Sequence, residues 1–145
     1  MVALADTGFL FALADSSDRH HARALAVAQT FQAPLVLPCP VLPEICYLLD
    51  SRLGRRAMRQ FLRELIRNAI PVEPLQPRDL PRVLELLERY EDIGLDFTDA
   101  AIVAIAERLK ITTILTLDYR HFNIIRPAHC DRFQILPSPQ SPINL

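Results

Sequence analysis

At 145 residues, half of them hydrophobic, the chain has the size of one ordinary domain and enough apolar surface for a real core. A formal net charge of −1 excludes a global basic field for capturing nucleic acid and leaves only a locally basic surface for that purpose. The three cysteines, Cys39, Cys46 and Cys130, have no zinc-like spacing and cannot pair off completely, so a reducing, cytoplasmic setting is expected.

The opening stretch MVALADTGFLFALADSSD is apolar but has no basic leading segment, and Asp6 interrupts it. It reads as a first strand and helix rather than a signal peptide. Val2 to Ala5 is predicted as a buried strand and Gly8 to Ala14 as a short helix. Ser17 or Asp18 then offers a cap for a helix running through Phe31. Leu35 to Pro38 is the second strand, leading into the helical stretch CPVLPEICYLLDSRLG. There Pro40 and Pro43 fit only a first turn, and Gly54 suits the end.

Arg55 to Asn68 is amphipathic. Met58, Phe61, Leu62, Leu65 and Ile66 form an apolar stripe, opposite Arg55, Arg59, Arg63 and Arg67. Residues 69–75 give a short third strand interrupted by Pro71 and Pro74. Leu80 to Tyr90 is a helix started by Asp79 and Pro81. In LDFTDAAIVAIAERLK, Ala100 to Ala106 carry no polar side chain, which predicts a helix packed on several sides. Asp96 suits its N-cap, and Asp99 falls at its third position. Thr112 to Leu117 is a β-branched strand, and Phe133 to Leu136 is the last strand. The domain is expected over residues 1–136, followed by an irregular, Pro-rich tail over 137–145. No run approaches ~18 apolar residues, so no membrane span is expected. Strands alternating with helices predict a single three-layer α/β domain, with a central, mainly parallel sheet flanked by helices.

Ligands of such sheets bind outside the carboxyl ends of the strands. Asp6 follows the first strand, Asp118 follows TTILTL, Glu44 lies in the first turn after the second strand, and Asp99 heads the dry helix. Three of them have an ordinary reading, whereas Glu44, set among Pro43, Ile45 and Cys46, needs a partner. Asp6 can stop a strand, Asp118 can be a turn residue in LDYRHF, and Asp99 can complement a helix dipole. Together, though, all of them gather on one side of the layer. Crowded carboxylates raise one another's pKa, and a hard cation relieves that cost. Oxygen ligation completed by water is the pattern of Mg²⁺ or Mn²⁺. Thr7 and Thr116 add hydroxyls suited to holding a carboxylate, a water or a phosphate oxygen.

Three motifs, ADTGFLFALADSSDRHHARA, VLPEICYLL and DFTDAAIVAIAERLKITTILTLDYRHF, give a resemblance spanning nearly the whole chain. The sequence resembles the PIN domain family, most of all the VapC-type toxins of bacterial toxin–antitoxin pairs. That resemblance implies an architecture like the flap nucleases and a Mg²⁺- or Mn²⁺-dependent endoribonuclease leaving 5′-phosphate and 3′-hydroxyl ends. It implies Asp6, Glu44, Asp99 and Asp118 as the catalytic, metal-holding acids, supported by Thr7 and Thr116, with Asp96 as a cap or outer residue. It also implies an RNA substrate, a small antitoxin partner and a possible homodimer.

The arginine face of Arg55, Arg59 and Arg63 is a candidate guide for RNA phosphates, with a solvated helix face as the ordinary alternative. Arg120 and His121, beside Asp118, are further candidates. His20 and His21 read as surface or packing residues. The alternative function is a PIN-fold module that binds RNA or protein without cleaving. A receiver domain is disfavoured because the only lysine, Lys110, precedes the late strand. A haloacid-dehalogenase-type phosphatase is disfavoured because Gly8 stands where it needs a second acid.

Overall fold

The computed structural model describes residues 2–139. Its strands are β1 (Ala3–Ala5), β2 (Leu35–Pro38), β3 (Val72–Glu73), β4 (Thr113–Leu115) and β5 (Gln134–Leu136). They form one sheet in the order β3-β2-β1-β4-β5, with every neighbouring pair parallel. The helices are α1 (Thr7–Ala14), α2 (His21–Thr30), α3 (Val41–Leu53), α4 (Arg55–Arg67), α5 (Leu80–Arg89), α6 (Phe97–Leu109) and α7 (Tyr119–Ile124).

The chain steps one way across the sheet from β1 to β3, then returns past β1 to β4 and β5. Right-handed crossovers therefore put α1–α4 on one face and α5–α7 on the other. The packing follows this division, with α1 against α2 and α3, α3 against α4, and α5 against α6. The reversal of direction falls between β1 and β4, and this topological switch point is where such sheets bind ligands.

Leu4, Leu37 and Ile114 from the strands, with Phe9, Ile45, Leu49, Leu86, Ile102 and Ile105 from the helices, form the fully buried centre. In α6 every residue from Thr98 to Ala106 is buried, as the unbroken apolar run predicts. Among the described residues, no helix is long and apolar enough to cross a membrane. Pro43 occupies the third position of α3, where no intrahelical donor is lost. Gly54 ends α3 and starts α4 at φ 98°, a region disfavoured for residues with a Cβ.

Several local expectations are corrected. Apart from β2, which spans Leu35–Pro38 as expected, the strands are shorter than read from the sequence. Val2 lies outside β1, and Thr112, Thr116 and Leu117 lie outside β4. Neither Ser17 nor Asp18 caps α2, which starts at His21. Asp18 instead accepts from the His20 N–H (2.8 Å), and Asp15 accepts from the Ser17 N–H and hydroxyl (3.0 and 2.7 Å), so both acids shape the preceding turn. Asp79 does not cap α5 with its side chain, which accepts from the Gln76 N–H (2.9 Å) and from Arg108.

On α4 the apolar stripe is only half covered, and Ile66 is 80% exposed. LDYRHF, read above as a turn, opens the extra helix α7, with Asp118 capping it through the His121 N–H (3.1 Å). Part of the Pro-rich tail, residues 140–145, lies outside the described residues. Its first residues are tied to the domain. The Pro137 carbonyl accepts from the Tyr119 hydroxyl (2.7 Å), and the Ser138 carbonyl from Arg23 (2.8 Å).

Arg108 links α6 to the segment between β3 and α5. Its guanidinium lies 2.9 Å from Asp79 and 2.7 Å from Glu73, and it donates to the Pro74 carbonyl (3.0 Å). The Asp79 side chain is only 4% exposed, so losing its cation strands a buried charge. Arg108→Ala is expected to lower stability by about 3 kcal/mol, measured by urea unfolding. A loss below about 1 kcal/mol would make this an ordinary surface pair.

Candidate active site

The acids assemble at the carboxyl edge of the sheet around the switch point. Asp6 follows β1 directly, and its backbone N–H donates to the Leu115 carbonyl at the end of β4 (2.9 Å). Its side chain caps α1, accepting from the Thr7 N–H (2.7 Å). The other oxygen accepts from the Thr116 hydroxyl (2.8 Å), which in turn accepts from the Asp118 N–H (2.9 Å). One threonine therefore holds the acids of two adjacent strands in register. Thr116 is fully buried, where an unsatisfied hydroxyl is costly, so this bonding fixes its rotamer.

Glu44 enters from the first turn of α3. One of its oxygens accepts from the Thr7 hydroxyl (2.9 Å) and the other from the Thr98 hydroxyl (2.8 Å). The residue itself is exposed, so burial does not fix its carboxylate. Its carboxylate is positioned by hydroxyls from α1 and α6 instead. Thr98 was not singled out from sequence. Its only signal is position, one residue before Asp99 in the first turn of α6.

The two acids of α6 divide their roles. Asp96 is the N-cap, accepting from the Asp99 N–H (2.8 Å). Asp99 leaves its own carboxylate free of capping, and one oxygen lies 3.0 Å from His121 Nδ1. The same ring nitrogen lies 2.9 Å from Asp118, while Nε2 lies 3.0 Å from the Ile93 carbonyl. Asp99, Asp118 and His121 thus offer ligand atoms all within 4.8 Å of one another. His121, considered above only as a phosphate guide, turns its ring inward to the acids. The i, i+3 spacing of Asp118 and His121 was the available signal, once a helix is recognised there.

Burial dominates the electrostatics. It pushes Asp6 up to about 6 despite the hydrogen bonds from Thr116 and Thr7, with Asp118 and Glu44 adding repulsion. Burial likewise pushes Asp99 up to about 7, aided by the charges of Asp6, Asp96 and Asp118 against the His121 hydrogen bond. For His121, burial favours the neutral ring, but Asp118 and Asp99 outweigh it and raise the pKa.

The arginines named above are not brought into this group. Arg55 lies 3.9 Å from Asp50, Arg63 donates to Gln60 (3.5 Å), and Arg59 and Arg120 are exposed. Of the two early histidines, His21 bonds the Ala12 carbonyl (2.8 Å) and His20 contacts Arg23 (3.2 Å), as structural residues do.

Residues 3–126 match the PIN domain family, and the chain belongs to that family. Its similarity is to the VapC proteins. It is 33% identical to Ribonuclease VapC26 of Mycobacterium tuberculosis over 132 residues, covering 91% of this chain and 98% of that protein. In fold it is similar to VapC20 of Mycobacterium tuberculosis, a sarcin–ricin loop cleaving toxin, with a TM-score of 0.72 and 24% identity over 77% of this chain and 86% of that one. It is also similar to VapBC2 of Rickettsia felis, solved with a fragment of promoter DNA, with a TM-score of 0.67 and 14% identity over 93% of this chain and 98% of that one.

Proposed function

We propose that the chain is a metal-dependent endoribonuclease that hydrolyses RNA phosphodiester bonds, acting as the toxin of a type II toxin–antitoxin pair. The observation that carries this reading is the convergence of Asp6, Asp99 and Asp118 at the switch point, in a chain 33% identical to Ribonuclease VapC26. The donor set suits a divalent cation. Asp6 and Asp99 gather negative charge that their hydrogen bonds do not offset, and the contacting atoms are carboxylate oxygens and one imidazole nitrogen.

Asp6, Glu44, Asp99 and Asp118 are assigned to hold Mg²⁺ or Mn²⁺. When bound, the cation supplies Lewis acidity toward a phosphate and lowers the pKa of a coordinated water. The chain supplies the geometry. Thr116 fixes Asp6 relative to Asp118, Thr7 and Thr98 fix both oxygens of Glu44, and Asp96 holds the helix head that presents Asp99. Such fixed placement is what orients a water and a phosphate for attack.

The test is incubation of mixed RNAs with Mg²⁺, with Mn²⁺ or with a chelator. Cleavage is expected only with a divalent cation. Intact RNA under conditions where the metal demonstrably binds would favour a PIN-fold module that does not cleave.

Arg55, Arg59 and Arg63 on the exposed face of α4, with Arg120 on α7, are assigned to the RNA backbone. Arg55 is 81% exposed on its side chain, and its one carboxylate contact is long. Changing Arg55, Arg59 and Arg63 together to Gln is expected to weaken RNA binding about tenfold at low salt and flatten its salt dependence. Undiminished affinity would remove α4 from the RNA path. A small antitoxin and a second copy of the chain are the assigned protein partners. Tyr47 on α3 and Leu84 on α5, 72% and 58% exposed, give such partners apolar surface.

A further inference from the structure

We propose that His121 is a direct nitrogen ligand of the catalytic cation, so that the site selects Mn²⁺ over Mg²⁺. The inference rests on the metal-dependent reading above and concerns which residues and which cation that reading involves.

Nε2 of His121 lies 3.0 Å from the Ile93 carbonyl oxygen, and a carbonyl only accepts, so Nε2 carries the hydrogen. In the neutral ring this tautomer leaves a lone pair on Nδ1. That atom faces carboxylate oxygens of both Asp99 (3.0 Å) and Asp118 (2.9 Å). In the metal-free protein Nδ1 shares a proton with both acids, and a cation that displaces this proton meets three electron-pair donors converging on one point. A histidine that gives its outer N–H to a backbone carbonyl and turns its other nitrogen into a cluster of carboxylates has the arrangement usual for metal-bound imidazole.

The spacing agrees. Adjacent ligands each about 2.1 Å from an octahedral cation lie about 3.0 Å apart. Position is also fixed from both ends. Asp118 caps α7 through the His121 N–H, so the helix that presents the nitrogen is started by one of the acids it joins.

An imidazole in an otherwise all-oxygen set changes selectivity. Mg²⁺ favours oxygen donors and retains its waters, whereas a first-row transition cation gains more from nitrogen. The four carboxylates alone would give no such preference for nitrogen-accepting cations.

The decisive measurement is pulsed electron paramagnetic resonance of the full chain loaded with MnCl₂. A ¹⁴N coupling from directly bound imidazole is expected, replaced by ¹⁵N coupling when the protein carries ¹⁵N-histidine. This needs no substitution and so no assumption about folding of a variant. Calorimetric titration with MnCl₂ and MgCl₂ gives the selectivity. His121→Gln is expected to lower Mn²⁺ affinity about tenfold or more while changing Mg²⁺ affinity less than about threefold.

Mn²⁺ that binds without nitrogen coupling overturns the assignment and leaves the nuclease reading intact. Mn²⁺ affinity that rises in His121→Gln also overturns it, because the histidine would then be a counter-ion competing with the metal. Nitrogen-coupled Mn²⁺ without RNA cleavage upholds the ligand and overturns the nuclease reading instead.

Discussion

Asp6→Asn is expected to reduce RNA cleavage at least about a thousandfold while leaving the fold intact, since metal-based charge stabilisation contributes several kcal/mol to such reactions. The fold should survive because asparagine has the same shape. It keeps an acceptor for the Thr7 N–H, and its amide can donate to the Thr116 hydroxyl oxygen. The substitution also removes a carboxylate that burial pushes up to about 6. The metal-free variant is therefore expected to be more stable than the parent at pH 7.5, by about 1–2 kcal/mol. Loss of activity accompanied by a gain in stability separates a ligand from a structural residue. Single-turnover cleavage and thermal unfolding measure the two. Unchanged, chelator-sensitive cleavage in the variant would remove Asp6 from the metal site.

The second large effect joins pH to the cation. Asp6 and Asp99 both have folded pKa values above their unfolded ones, about 6 and about 7 against 3.8. Their contribution to stability is fully present below pH 3.8 and is lost as pH rises through 6 and 7. His121 is also raised, so its contribution is lost in the same direction, at a pH above its ordinary 6.5. Between pH 5 and pH 8 the metal-free protein is expected to lose about 3 kcal/mol from this group, roughly 5–10 °C in Tm. A divalent cation that binds the ionised acids should restore the loss, so its stabilising effect grows with pH. Thermal unfolding with and without MnCl₂ at both pH values tests this. A metal-induced shift that is larger at pH 5 than at pH 8 would contradict it.

The acids were readable from sequence because a charged residue within a few positions of the end of a buried β-strand has few places to go. Asp6 and Asp118 follow such strands, and Asp99 heads a helix too dry to lie anywhere but the core. Strand order was not readable. Nothing local says that β4 pairs with β1, and that pairing sets Asp6 beside Thr116. His121 was hidden for a similar reason. Its ring is aimed by the Ile93 carbonyl, 28 residues away, and by a six-residue helix whose sequence also suits a turn. The missed caps have a different cause. Asp18 and Asp79 have cap chemistry, but nearer backbone donors and Arg108 claim their oxygens first.

The hydrogen bond from Thr116 to Asp6 spans 110 positions of the chain. Contacts of such long range close late, because the loop between them must be ordered before they form. While the polypeptide is being made, β1 emerges early and waits for β4, with α6 and its acid still to be laid down between them. A nascent chain on the ribosome therefore has no assembled centre until most of its length has been translated. The centre proposed to cut RNA is thus kept unassembled through most of the chain's own synthesis by the order in which its strands appear.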